Sequence, residues 1–279
     1  YIGSGGLNQF TFGLSWKIKS HFAAGLGLNY LFGVIDRETI IYTDQTSLYF
    51  REKVNNAMKG LVPEIGLLYG HFIDDYKLNF GLKIKSKKKL FSNLHTLEST
   101  YSGPVYSSET EYVISEEEIF DTSVTLPLEC SFGLSVEFDN KWLIGLDYNY
   151  VNWSNYSENN ESISYMTNKN EFILGGEFVP EENDIYNYFK RVKYRFGLLY
   201  ASGHLDFSTI DTTVPKLKEI AITAGVGLPI NKVASTANLG FKWSLRGYNL
   251  SENFIQEEYL SMYLSMTLNE KWFKKRKIE

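Results

Sequence analysis

Alternation with a period of two runs through almost the whole chain and restricts its fold more than any other feature. Phe10, Phe12, Leu14, Trp16 and Ile18 share one face of the first run, and Gln9, Thr11, Gly13, Ser15 and Lys17 share the other. Beyond a tight turn at 19–21, Phe22, Ala24, Leu26, Leu28, Tyr30, Phe32 and Val34 repeat the pattern. A strand presents successive side chains to opposite faces, so such runs read as β-strands with one apolar face. The pattern returns in runs headed by Leu61, Tyr76, Val124, Trp142, Phe172, Val192, Ile220, Leu239 and Leu260. About eleven antiparallel strands and no helix are expected, most of them near the ~9–11 residues that a tilted membrane strand needs.

Alternation alone leaves open which face is inside. A soluble sandwich or a lipocalin-like barrel also alternates, with its apolar face inward. Three features favour a transmembrane β-barrel. Glycine is plentiful, with 22 residues, and Gly13, Gly25, Gly27, Gly66, Gly81, Gly133, Gly145, Gly197, Gly225 and Gly240 all fall opposite the apolar stripe. A solvated outer face has no use for them, whereas a packed lumen has, and so has the relief of barrel curvature. Aromatic residues make up 16% of the chain and cluster at strand ends. Trp16, Phe22, Trp142 and Trp272 fit one interfacial girdle, and Tyr30, Tyr150 and Trp243 fit the other. Connections also alternate in length. The short ones are 19–21, 74–75, 139–141 and 230–235, and 179–190 is intermediate. The long ones are 35–60, 86–122, 154–170 and 202–217, with 247–253 shorter. Short periplasmic turns and long external loops are the outer-membrane pattern.

Composition is compatible with this and excludes little. The net charge is −5 and no apolar run reaches the ~18–20 residues of a spanning helix. Only every second residue of a barrel strand meets lipid, so the average stays mild. Cys130 is the single cysteine, and the four histidines (His21, His71, His95, His204) have no metal-ligand spacing. There is no nucleophile elbow, phosphate loop or paired-cysteine zinc site, so no enzyme, cofactor or metal is expected. No nucleic-acid partner is expected either.

If the short turns are periplasmic, the first strand runs downward from outside. The eleventh then does the same and leaves Lys274-Lys275-Arg276-Lys277 in the periplasm, beside anionic head groups or merely solvated. Bacterial single-chain barrels have an even number of strands with both termini periplasmic. An odd number of strands is therefore expected before Tyr1, and residues 1–279 read as one barrel domain lacking its first strands.

Three stretches resemble the FadL/TodX-type outer-membrane transporters for hydrophobic compounds, in a divergent Bacteroidota branch. They are Tyr1-Ile2-Gly3-Ser4-Gly5-Gly6-Leu7-Asn8, Tyr188-Phe189-Lys190-Arg191-Val192-Lys193-Tyr194-Arg195-Phe196-Gly197, and Leu268-Asn269-Glu270-Lys271-Trp272-Phe273-Lys274-Lys275-Arg276. The resemblance implies a fourteen-stranded barrel with an N-terminal hatch in its lumen, of which this chain carries about eleven strands. It also implies passive passage of molecules such as fatty acids across the outer membrane.

Polar-face parity nominates Glu64, Lys83, Glu129, Glu137, Asp147, Glu177, Arg195, Lys242 and Arg246 as lumen-lining charges. They suit pairing across the lumen or with a hatch, or contact with a ligand. Pro63 and Pro127 each remove a ladder donor and predict bulges or kinks. Glu116-Glu117-Glu118 is expected in a solvated loop, with a divalent-cation contact to lipopolysaccharide as the alternative. Expected partners are outer-membrane lipids and lipopolysaccharide, a hydrophobic small molecule, and protein partners if the barrel belongs to a complex. Three functions stay open at this point: a hydrophobic-compound transporter, a structural or accessory subunit of an outer-membrane complex, and a porin-like channel.

Overall fold

Each alternating run becomes a strand. In the computed structural model, residues 1–43, 48–102, 111–139, 141–206, 217–230, 235–247 and 256–268 are described. The strands are β1 (Ile2–Lys19), β2 (Phe22–Thr43), β3 (Leu48–Ile73), β4 (Tyr76–Lys85), β5 (Lys88–Ser102), β6 (Glu111–Leu126), β7 (Glu129–Phe138) and β8 (Trp142–Val151). They continue with β9 (Ser157–Glu158), β10 (Glu161–Ser162), β11 (Lys169–Phe178), β12 (Lys193–Ala201), β13 (Glu219–Pro229), β14 (Thr236–Arg246) and β15 (Glu257–Thr267). All pairings are antiparallel and all belong to one sheet.

Eleven of these strands make a continuous wall in the order β1-β2-β3-β4-β7-β8-β11-β12-β13-β14-β15. The apolar stripe of that wall faces outward: Phe10 is 67% exposed and Leu26 is 53% exposed, with no core to receive them. A water-soluble chain would bury such a stripe, so the exposed band is a lipid-facing surface. The expected barrel architecture is therefore present, and the soluble sandwich is not. Among the described residues β1 pairs only with β2, and β15 only with β14.

The structure departs from expectation above the wall. Residues 35–60 are not a loop, because β2 and β3 stay paired from Phe22↔Tyr69 up to Thr43↔Leu48. Residues 86–122 are not a loop either, since they supply β5 and most of β6. Glu116-Glu117-Glu118 consequently sit in a strand, paired with Leu97, Thr96 and His95. The reason is chemical: above the lipid band both faces meet water or each other, so charged residues such as Glu38, Glu52 and Lys53 interrupt the apolar alternation without breaking the ladder. The β-branched and aromatic residues Ile40, Ile41, Tyr49 and Phe50 still favour strand. The 154–170 segment is less regular and holds the small hairpin β9–β10. The connections 230–235 and 247–253 and most of 202–217 fall largely outside the described residues.

These extensions build a tower of β2, β3, β5, β6 and β9 on one side of the wall. The two prolines mark its base. Pro127 lies in the two-residue break between β6 and β7, and Pro63 lies opposite the matching break at 86–87. The Pro63 carbonyl still accepts a hydrogen bond from the Ser86 amide at 3.0 Å. Proline without its N–H loses nothing at a level where the ladder is already handing over from β4 to β5.

The tower rolls. Arg37 on β2 and Glu158 on β9 are separated by four strand-to-strand steps, ~19 Å in a flat sheet. Their side chains nevertheless meet at 2.7 Å. Rolling buries the inner face just above the base, where Leu31 (β2), Val62 (β3) and Leu90 (β5) form a small apolar core against Leu126. Gly60 makes this possible: a β-carbon there would stand 2.6 Å from Leu90 Cδ2. With glycine at that place, the Leu90 side chain lies flat across β3.

Candidate functional site

The charged residues that parity nominated share the polar face of the wall, opposite the outward apolar stripe. What parity could not give is their partners. Reading across the register, Glu64, Lys85 and Glu129 fall in one row, with the Lys85 ammonium 3.6 Å from the Glu129 carboxylate. Glu64 folds over Gly27, whose β-carbon would stand 2.5 Å from Glu64 Cγ, so the carboxylate lies along the wall. Glu137 meets Lys77 at 3.2 Å. Arg195 donates through Nε to Glu177 at 2.7 Å and through Nη1 to Asn238 at 2.8 Å. Lys242 donates to Glu219 at 2.9 Å, and Arg246 reaches the other oxygen of the same carboxylate at 3.4 Å. Lys83 lies beside Gly66 and Ser131, and Asp147 lies beside Gly133.

Among the described residues Glu129, Glu137, Glu177, Arg195, Lys242 and Arg246 thus pair with neighbours along the wall, whereas Glu64, Lys83 and Asp147 lie beside glycine or serine. A charge in a narrow, low-dielectric channel is costly when it stands alone. Cross-strand partners remove most of that cost without closing the passage. Glu219, Lys85 and Lys77 were not among the nominated charges, although each lies on the polar face of its strand. The missing signal was register, which alternation leaves undetermined by multiples of two.

Between β8 and β15 these residues border a cavity of 680 Å³ on the inner side of the wall. Its surface is largely backbone and small residues: Gly145, Gly175, Gly197, Gly225 and Gly240 all contribute. The lining is thus mostly apolar, with Arg195 and Lys242 as the cations on it. Such a surface suits a slender apolar molecule with at most one anionic end.

Above the lumen lies a roof that the sequence did not announce. Arg37 donates from both terminal nitrogens to the two oxygens of Glu158, at 2.9 and 2.7 Å. The Tyr156 hydroxyl donates to Glu158 Oε1 at 2.6 Å. The Arg37 hydrogen bonds hold the Glu158 carboxyl below the usual carboxylate range, and burial pushes the Tyr156 phenol up. Trp153 stacks on His204 with ring centroids 5.0 Å apart, joining the segment after β8 to the segment after β12. Burial depresses the His204 imidazole below its ordinary value. The Asn152 amide donates to the Leu128 carbonyl at 2.9 Å, and the Thr167 amide to the His204 carbonyl at 2.9 Å. Together these contacts tie the segments 152–168 and 202–206 to each other and to the tower.

The expected girdles are placed as follows. Trp16 and Trp142 are about half exposed on the outer face near the short turns, and Trp142 stacks on Phe178 at 4.1 Å. Phe22 opens β2 at the same end, opposite Tyr69. Tyr30, Tyr150 and Trp243 lie toward the opposite end, where Trp243 donates to Glu258 at 2.6 Å and Tyr30 stacks on Phe32. Trp272 and the basic run 274–277 lie outside the described residues. No cluster of metal-ligating side chains occurs among the described residues.

Solved structures share this architecture. The CymD monoaromatic hydrocarbon channel superposes with a TM-score of 0.63 at 13% identity, over 96% of this chain and 74% of that one. The Ralstonia pickettii toluene transporter TbuX gives 0.59 at 12% identity, over 96% and 69%. A Pseudomonas aeruginosa FadL homologue gives 0.54 at 14% identity, over 88% and 60%. At these identities the likeness is one of fold, and that fold is the FadL/TodX-type outer-membrane barrel. No curated protein matches the sequence. The family model BamG matches residues 1–279. From its first residue to its last, the chain belongs to the BamG family.

Proposed function

We propose that this barrel gives hydrophobic compounds a passive route across the bacterial outer membrane. The observation that supports this is the lumen cavity of 680 Å³, lined mostly by glycine backbone and apolar groups, with its two cations, Arg195 and Lys242, each paired along the wall. An apolar solute gains by leaving water for such a surface, whereas a hydrated ion gains nothing there. Arg195 and Lys242 would then meet a carboxylate head group, as in a fatty acid. The free edges of β1 and β15 cannot stand in hydrocarbon, because unpaired backbone groups have no water to bond. Further strands are proposed to close the wall between them, with a hatch inside and the end of β15 at the periplasmic face.

A second reading is favoured by the tower, which projects well beyond the lipid band and far exceeds what a spanning wall needs. Under it, the chain is a structural subunit of a larger outer-membrane assembly. Planar-bilayer conductance and fatty-acid or toluene uptake separate the cases. Uptake without steady ion conductance supports the first reading. Large steady conductance indicates a porin. Neither uptake nor conductance leaves the subunit reading.

A further inference from the structure

The outer edge of the tower is unusual. Strand β6 pairs with β5 on one side, but on the other it meets β9 only at Val124 and Thr125. Among the described residues, nothing pairs with that edge from 111 to 123. Residues 112–121 are exposed without interruption, on both faces of the strand. They include Tyr112 at 71%, Ile114 at 58% and Phe120 at 60% exposure. Ser123 stands opposite Phe91, which stands opposite Lys59, itself level with Phe32, which stacks on the girdle residue Tyr30. Everything from 122 back to 111 therefore rises above the lipid band, so lipid does not cover these side chains.

An exposed, apolar, unpaired edge is a template for another strand. We propose that the β6 edge accepts an extended, basic segment of a partner protein outside the membrane, by strand addition. This rests on the subunit reading above and names its contact. Charge decides the occupant. Glu116, Glu117, Glu118 and Asp121 lie on this stretch, and Glu117 and Glu118 have no ion pair among the described residues. A second copy is disfavoured, because two such edges pairing antiparallel about Glu117 would set glutamates against glutamates, and opposed like charges destabilise a strand pair. A lysine- or arginine-bearing strand would gain both the free backbone groups and the glutamates.

The test uses the whole chain in nanodiscs and a synthetic ten-residue peptide of alternating Lys and Val, followed by fluorescence anisotropy. Saturable binding is expected. An N-methylated version of the peptide, which lacks the ladder donors, should lose it. The triple variant Glu116→Lys, Glu117→Lys, Glu118→Lys should bind the Lys-Val peptide at least about tenfold more weakly and accept an alternating Glu-Val peptide instead. These changes are on exposed side chains, and retained heat-modifiable migration confirms folding. Equal binding of the methylated peptide would reduce the effect to bulk electrostatics and overturn the proposal. So would no binding, or dimers of the wild-type chain that the triple variant abolishes. If a stable complex co-purifies equally with wild type and triple variant, the subunit reading stands and the edge proposal falls.

Discussion

Arg37 and Glu158 form a two-pronged ion pair although their strands lie four places apart in the sheet. That contact closes the rolled tower and ties the segment after β8 to the β2–β3 hairpin. Its Arg37 side chain is 56% exposed and Glu158 19%, so solvent screens the pair and its contribution to global stability is below about 1 kcal/mol. Opening of the roof is the more sensitive readout. In a Cys130→Ser background, a cysteine at Leu31 should react with maleimide several-fold faster when Arg37 is replaced by Ala. Unchanged labelling would show that the core shields position 31 without the latch.

The same pair predicts a pH response. Glu158 titrates lower in the folded state than its ordinary value, because Arg37 donates to the charged form. Its stabilisation is therefore fully present above an unfolded carboxylate pKa of ~4.3 and is lost as pH falls through the depressed folded value. Maleimide is unsuitable there, so the roof is followed by amide exchange of residues 152–168. Protection should hold down to about pH 4.3 and fall below it. Glu158→Gln should remove that dependence while keeping the Tyr156 contact.

Core packing under the roof supplies a sharper stability test. Leu90 is fully buried and lies across Gly60. Leu90→Ala should cost about 2–4 kcal/mol of tower stability, from lost burial and the cavity left behind. Gly60→Val places methyl groups where Leu90 Cδ2 already sits and should cost a similar amount by overpacking. Proteolysis between 86 and 127 reports the tower separately from the lipid-embedded wall. If both variants resist protease as wild type does, the rolled core is not what holds the tower.

One carboxylate in the lumen serves two cations. Glu219 accepts from Lys242 and Arg246, and those contacts lie along the wall between β13 and β14. Glu219→Ala leaves two positive groups facing each other and should cost about 1–2 kcal/mol. Arg246→Ala should cost less, because Lys242 remains and Arg246 is nearly half exposed. Urea unfolding in lipid vesicles ranks the two. The double change Arg195→Ala with Arg246→Ala should leave the fold in place and weaken fatty-acid uptake if the cations meet cargo.

Legibility in the sequence followed the lipid. Where one face of a strand meets hydrocarbon, as for Phe10 to Ile18 or Trp142 to Tyr150, alternation is enforced by burial in lipid and the strand could be read directly. Above the band that enforcement stops. Glu38, Lys53 and Glu118 occupy strand positions that either solvent or a rolled neighbour can satisfy, so the tower looked like loop. The polar-face charges were legible as positions because parity is local. Their pairs were not, because Glu177 meets Arg195 and Lys77 meets Glu137 through registers set by turns and neighbours. The Arg37–Glu158 contact depends on rolling of a sheet, and no local pattern encodes that.

Closure of the wall is the last matter that can be tested directly. Among the described residues β1 and β15 each offer an unpaired edge, and residues on both are exposed along nearly their whole length. If β1 and β15 paired directly, cysteines at facing positions would stand ~5.5 Å apart at Cα and oxidise to a disulfide. If three strands intervene, four strand steps separate the two edges, ~19 Å along a flat sheet. Curvature of the wall shortens that distance but does not bring it within disulfide reach. Pairs drawn from Gln9, Thr11 and Gly13 on one edge and Ser261, Tyr263 and Ser265 on the other sample the inward-facing positions of both strands. In a Cys130→Ser background, with the protein inserted in outer-membrane vesicles, none of these pairs should cross-link under mild oxidation. A positive control is Ser244→Cys with Tyr259→Cys, which face each other across β14 and β15 and should oxidise readily. Efficient cross-linking of any β1–β15 pair at the rate of that control would show that eleven strands close the wall by themselves.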